Sequence, residues 1–365
     1  MILFFKDKLL YTIKEKIENN IRLERADGIT LYNTNDLIGV GALADFVRRK
    51  RHGNKTYFVY NQHINYTNIC KNRCLFCAFA RDRYEKGAYI YSVDQVREIL
   101  TQNKSDCLKE IHMVGGIHPN APFEYYLDLL KTIRDVCPGV HIKAFTAVEI
   151  DHFSSISNLS LSETIKALKQ AGLDMVPGGG SEVMSDRVHK ELFPKKIHRK
   201  RWADVMKAVH AEGLTSNATM LYGHIETIEE RIDHFIQLRD IQDETNGFTA
   251  FIPLAFHSEN TKLSHIAPTS AYLDLKTTAI ARLMLDNFDH IKAYWVMLGE
   301  KLAQVAQTFG ADDLDGTIIE EKITHSAGAK SSKGLTRNQL VYMIRSAGFE
   351  PEERDALYQP VGESV

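Results

Sequence analysis

Between residues 56 and about 317, short apolar runs alternate with amphipathic stretches of helical period. The apolar runs predict strands at 57–65, 110–114, 141–147, 174–176, 216–221, 249–256, 291–298 and 314–316. Helical patterns fall between them at 92–102, 122–137, 162–171, 199–212, 227–245 and 271–288. Strict strand–helix alternation implies parallel strands joined by helical crossovers. Eight such strands predict an α/β fold of the (β/α)8 TIM-barrel type, with an open doubly wound sheet as the alternative. Residues 1–55 read as a charged N-terminal helical extension, 56–325 as the barrel, and 326–365 as a C-terminal helical tail packing on it. That tail opens on the small, polar loop SAGAKSSK, and Thr336 is placed to cap its helix.

Small and polar residues cluster just after the predicted strands. Gly115-Gly116 follow the second, Glu149 the third, Gly178–Gly180 the fourth, and Tyr222-Gly223-His224 the fifth. In a barrel these positions meet at one end, where active sites form.

Composition narrows the classes of function. The chain has 45 basic and 47 acidic residues, so no bulk charge draws it to nucleic acid or to a membrane surface. No apolar run approaches the roughly 20 residues that span a bilayer. The opening MILFFKDKLLYTIKEKIENN lacks the apolar core of a signal peptide and predicts a helix packed on the body of the protein. Five cysteines without a secretion signal predict a reducing, cytoplasmic setting and no disulfide framework.

Three of those cysteines, Cys70, Cys74 and Cys77, crowd into the segment NICKNRCLFCAF. Spacings of four and three bring three thiolates to one inorganic centre, and thiolates are the usual ligands of iron–sulfur clusters. Three protein ligands leave the fourth iron of a 4Fe–4S cluster open to a small molecule. Structural zinc is the alternative, but closed zinc sites take four ligands. Cys107 and Cys137 sit near predicted helix ends, where idle buried cysteines are common.

The C-x3-C-x2-C spacing, with Phe76 before the last cysteine, resembles the signature of the radical S-adenosylmethionine (SAM) superfamily. The resemblance implies that the open iron chelates SAM, and that one electron cleaves it to methionine and a 5′-deoxyadenosyl radical. It also implies SAM-binding roles for Phe76, Gly115, Gly116, Glu149, Tyr222, His224 and Ile252. The glycines stand in VGGI, where Ile117 replaces the acidic third residue of the superfamily's GGE motif, so only the backbone role carries over. Each position also has an ordinary reading. The glycines fit a strand-to-loop turn, Glu149 a solvated charge, and Ile252 core packing, while Thr227 with Glu230 makes a capping box.

Longer segments resemble one family, the aminodeoxyfutalosine synthases of the futalosine route to menaquinone. They are HINYTNIC (63–70), CLFCAF (74–79), VGGIHPNAPFEYYLDLL (114–130), HIKAFTAVEI (141–150), GLDMVPGGGSE (172–182), SNATMLYGHIET (216–227) and FIPLAFHSENT (251–261). The sister family, the cyclic dehypoxanthinylfutalosine synthases, is similar in many places. Ile117-His118-Pro119, residues 143–148 and Ser216-Asn217 favour the synthase. The resemblance implies a transferase forming a carbon–carbon bond. The adenosyl radical would add to 3-[(1-carboxyvinyl)oxy]benzoate, giving 6-amino-6-deoxyfutalosine, methionine and bicarbonate, with SAM consumed as a co-substrate. A one-electron donor such as flavodoxin or ferredoxin is implied as a partner. Arg81, His118, Lys143, Glu182 and His257 are the candidate groups for the dicarboxylate substrate, since it calls for cations and hydrogen-bond donors at the barrel mouth. The competing readings are hydrogen abstraction, as in the sister family, and a non-enzymatic zinc-binding protein.

Overall fold

The apolar run at 57–65 does not form one strand. A computed structural model, describing residues 4–361, divides it at Tyr60 into β1 (Lys55–Val59) and β2 (Asn61–Ile64), which belong to different sheets. From β2 onward come β3 (Glu110–Met113), β4 (His141–Ala144), β5 (Met175–Val176), β6 (Thr215–Tyr222), β7 (Phe248–Ala255) and β8 (His290–Ile291). These seven strands pair in chain order, every neighbour parallel. Helical crossovers such as Phe123–Val136, Arg199–Ala211 and Ile228–Thr245 connect them. Capping boxes built on Ser92, Thr146, Ser160 and Thr227 start four of the helices in this region.

The expected eighth strand is β9 (Asp313–Gly316), and it pairs chiefly with β1 in a three-stranded sheet of order β10-β1-β9. Single parallel bridges, Lys292 to Asp313 and Gln62 to Ile319, set its region against both edges of the larger sheet, which is thereby curled into a barrel-like wall. A positive φ at Asp315 and a register shift against β1 interrupt the ladder that a regular eighth strand would make. β10 (Glu350–Glu353) lies in the tail, where the sequence predicts only helix and a closing segment. Its EPEE sequence has no strand signature, and parallel pairing with β1 holds it extended. The helix Arg337–Ser346 precedes it, capped by Thr336 as expected.

Two other expected strands are shorter than predicted. The run at 141–147 ends at Ala144, because Phe145 takes φ 59° and Thr146 caps the helix Ala147–Ser157. The run at 291–298 ends at Ile291, and Trp295–Leu298 is a helical turn. At the N-terminal end, the helices Leu9–Glu18, Arg25–Asn33 and Leu37–His52 bury Leu10, Ile13, Leu31 and Leu43 against the body. Among the described residues no helix is long and apolar enough to cross a membrane.

Parallel registry lines up His63, His112, Lys143 and Met175 on one face of adjacent strands. Neighbouring Ile111 and Ile142 point the other way, into the apolar layer beneath the helices. The inner face is therefore polar. Lys143 pairs with Glu110 at 2.7 Å, Lys292 with Asp315 at 3.5 Å, and the rings of His63 and His112 stack 4.5 Å apart. Each charge has its opposite nearby, as burial of ions requires.

Candidate active site

Beyond β2 the chain enters the loop that carries the cysteines, at the C-terminal end of the sheet. Backbone hydrogen bonds clamp this loop to distant segments. Gly116 N donates to Thr67 O (2.9 Å), Lys71 N to Ile117 O (3.0 Å), Leu75 N to Leu192 O (2.9 Å) and Lys262 N to Leu75 O (3.1 Å). Within the loop, Cys70 N donates to Arg81 O (3.1 Å), and Cys77 N to Cys74 O (3.1 Å) closes a tight turn. The Asn68 side chain adds two bonds, accepting from Tyr89 N and donating to Gly87 O. Cys74 is buried, while Cys70 and Cys77 are half-buried.

This arrangement fits a multi-iron cluster better than a single metal ion. Ligands of one zinc lie about 2.3 Å from it and so roughly 4 Å from each other. Among the described residues, the one trio of candidate ligand atoms within 4.8 Å of one another is His52, His290 and Asp312, at the far end of the sheet. Three cysteines on one clamped loop suit a cluster that takes one sulfur on each of three irons, where a closed zinc site takes four ligands. Cys107 is exposed, and Cys137 is buried at the end of the helix Phe123–Val136, so neither shares the loop. Burial pushes the bare Cys74 thiol up to about 12 and raises Cys77 as well. Thiolates at such positions call for a cationic centre to hold them.

Gly116 presses against the first cysteine. A Cβ there would lie 2.4 Å from Ile69 O and 2.9 Å from Cys70 Cβ. Gly116→Ala is therefore expected to displace the Cys70 backbone, costing about 1–3 kcal/mol and lowering the iron bound per chain after reconstitution. Iron and sulfide analysis alongside thermal unfolding checks this; wild-type values in both would refute the tight contact.

Gly115 packs against the Tyr66 ring in the same way, and its N–H points to Glu149 Oε1 at 3.2 Å. Glu149 stands in the first turn of a helix, which corrects its expected place at a strand end. Oε1 also accepts from Tyr66 OH (2.7 Å), and Oε2 accepts from Thr146 N (2.7 Å) and Oγ1 (2.8 Å). Both oxygens are thus occupied by protein donors. Burial raises the Glu149 carboxyl, and these bonds oppose the rise. The side chain braces β2, β3 and the helix start beneath the glycines.

The other expected SAM contacts divide. Ile252 lies on the inward face of β7, opposite Phe251, which packs on Phe235 and Phe288. Phe76 sits over the cysteine turn, edge-on to Phe193. Tyr222 turns outward, its hydroxyl 2.8 Å from Asp274 on the helix Ala271–Met284. His224 is locked within its own loop, Nε2 facing Leu221 O at 2.9 Å and Nδ1 accepting from Ile225 N at 2.7 Å. Beside it, burial raises the Glu226 carboxyl, but His224 Nδ1 at 2.9 Å, the Arg231 guanidinium and the Gly223 N–H outweigh burial and hold it down to about 2.

The candidate substrate groups are scattered. Lys143 lies inside the barrel on Glu110, and His118 is buried with its carbonyl facing His152. His257 faces Met297 O at 2.9 Å. Glu182, at φ 50°, pairs with Lys196, whose ammonium lies 5.3 Å over the Phe76 ring and close enough to Cys74 to favour its thiolate. Arg81 donates to the carbonyls of Ala78 and Ala80, and it alone of the five lines the cavity of about 790 Å³ beside the cysteine loop. Lys196 escapes a reading of the sequence because a lysine in PKKIHRKR has no local signal. So does the wall built from residues 319–333, of which the sequence reads 326–333 as a loop and 319–325 as the end of the barrel, although both line that cavity.

Comparison with known proteins accords with this geometry. Residues 64–238 match the family model described as "Radical SAM superfamily", and residues 245–364 match "CofH/MqnC C-terminal region". The chain is 47% identical to the aminodeoxyfutalosine synthase of Thermus thermophilus, covering 98% of this chain and 97% of that one. It is 39% identical to a 5-amino-6-(D-ribitylamino)uracil–L-tyrosine 4-hydroxyphenyl transferase of Archaeoglobus fulgidus, covering 87% and 92%. Among solved structures, methylornithine synthase superposes with a TM-score of 0.74 at 18% identity, covering 93% of this chain and 97% of that one, a likeness of fold.

Proposed function

This chain belongs to the radical SAM family of the aminodeoxyfutalosine synthases, and from that premise we propose that it performs their carbon–carbon bond formation in menaquinone biosynthesis. SAM, water and 3-[(1-carboxyvinyl)oxy]benzoate go in; 6-amino-6-deoxyfutalosine, methionine and bicarbonate come out. The observation that carries the reading is the clamped three-cysteine loop in a chain similar to a synthase from end to end.

Cys70, Cys74 and Cys77 would hold a 4Fe–4S cluster, which, with an electron from a donor such as flavodoxin or ferredoxin, would supply the reductive cleavage of SAM. The remaining tasks fall to the protein. Gly115 and Gly116 let backbone approach the methionyl group, a role in which Glu149 serves by fixing the Gly115 amide. Ile252 offers an apolar face to adenine. Tyr222 and His224 contribute the shape of their loop, since their side-chain polar atoms are engaged elsewhere. On the barrel face Lys143 pairs with Glu110 and Lys292 with Asp315, so these buried charges are balanced within the wall that would surround the radical.

Anaerobic incubation with SAM, dithionite and the enol ether, followed by mass analysis, tests the reading. The expected product retains the adenosyl carbons, with no stoichiometric 5′-deoxyadenosine. One equivalent of free 5′-deoxyadenosine per product would assign hydrogen abstraction instead. Turnover of L-tyrosine with 5-amino-6-(D-ribitylamino)uracil would place the chain with its 39%-identical relative.

A further inference from the structure

Past β9 the chain crosses the end of the sheet that carries the cysteines, and the two segments enclose the cavity of about 790 Å³. Phe79 and Tyr89 rise from the cysteine side, their ring centroids 6.3 Å apart and nearly perpendicular. Lys322, His325 and Lys333 come from the opposite side. The cavity is thus walled by aromatic rings and by cations together.

Its charges are not equally available. His325 presents Nδ1 to Glu321 Oε2 at 2.9 Å and Nε2 to Ser331 O at 3.3 Å, so that pair neutralises itself and fastens the segment. Arg81 is pinned by two carbonyls and lies 3.5 Å from Glu85. Glu320 is exposed at the rim, as is Lys333. Lys322 differs from all of these. Its half-buried ammonium donates to Tyr91 OH at 2.6 Å and lies 5.5 and 5.2 Å over the rings of Tyr89 and Tyr91, yet no carboxylate among the described residues pairs with it. Two N–H groups remain for an anion, in a setting where burial strengthens such a contact.

We propose that Lys322 anchors the carboxylate of an aromatic acid whose ring lies against Phe79 and Tyr89. A lone ammonium beside two aromatic rings matches one carboxylate on a flat aryl group. A phosphate would call for several convergent donors. The assignment rests on the proposed reaction only in identifying that acid with the benzoate of the enol ether.

Binding of 3-methoxybenzoate and 3-methoxybenzamide to the reconstituted protein, followed by calorimetry, tests it directly. Wild type is expected to prefer the acid by about tenfold or more, the weight of a charge-assisted contact. Lys322→Met should bring that ratio close to one, and Lys322→Arg should keep most of it. In turnover, Lys322→Met should raise KM for the enol ether about ten- to a hundredfold, with kcat falling far less. An unchanged acid-to-amide ratio in Lys322→Met overturns the proposal. A wild type that binds 3-methoxybenzoate through Lys322 but makes no adduct would instead remove the proposed reaction and leave this site standing.

Discussion

Cys74→Ala is expected to abolish turnover and to leave the reconstituted protein without an intact cluster, while Cys107→Ser keeps both near wild-type levels. The contrast follows from position. Cys74 is buried at the turn closed by Cys77 N, pinned through Leu75 to Leu192 and Lys262, and faced by the Lys196 ammonium. No neighbouring sulfur can replace it, because Cys107 is exposed outside the loop and Cys137 is buried under another helix. Removing one sulfur from a well-packed site costs about 1–2 kcal/mol of stability. The fold therefore survives, and the lost activity is chemical. Iron and sulfide per chain, together with anaerobic product formation, measure the effect. A Cys74→Ala protein that still carries a full, active cluster, or a Cys107→Ser protein that loses it, would overturn the ligand assignment.

The part of this site legible in the sequence is the part whose chemistry is local. Three cysteines within one loop announce themselves by spacing, and Gly116 by its place after a strand. The central strands were legible for a related reason. β6 and β7 are buried along most of their length, β7 through the nearly continuous apolar run AFIPLA and β6 through small residues leading into MLY, and the expected ranges fall within one residue of those seen. Errors arose where tertiary partners decide. The 57–65 stretch reads as one strand although the apolar YFVY gives way to NQHIN at Asn61, and only the pairing of β1 with β9 and β10 shows that it serves two sheets. Glu149 reads as a strand-end carboxylate until Phe145 takes a left-handed conformation and Thr146 begins a helix. Lys196 and Lys322 gain their roles from a turn and a wall formed by segments far away in the chain. Nothing adjacent to either lysine signals this.

Asp312→Ala is expected to lose about 3–5 kcal/mol of stability, the penalty for leaving a buried cation unpaired. At the end of the sheet away from the cysteines, Asp312 is fully buried. Oδ1 accepts from Arg282 and from Ile291 N (2.8 Å), while His290 Nδ1 lies 2.5 Å from Oδ2 and His52 Nε2 3.5 Å from it. These contacts join the helix Leu37–His52, the helix Ala271–Met284, β8 and the start of β9, across the seam where the sheet has single bridges in place of a ladder. The His–His–Asp spacing resembles a metal site, but the Arg282 guanidinium already holds the cation's place. Burial raises this carboxyl, and His290, Arg282 and His52 together reverse the effect, leaving it far below the ordinary carboxylate range. A depressed folded-state pKa means that the stabilisation is fully present above the unfolded value of about 4 and is lost progressively as pH falls from there toward the much lower folded value. Urea midpoints of wild type and Asp312→Ala should therefore lie far apart at pH 7, with a gap that narrows steadily as pH falls below about 4. Equal midpoints at pH 7, or a gap that persists undiminished in acid, would mean that the backbone pairing of β1 with β9 closes the seam without help from this cluster.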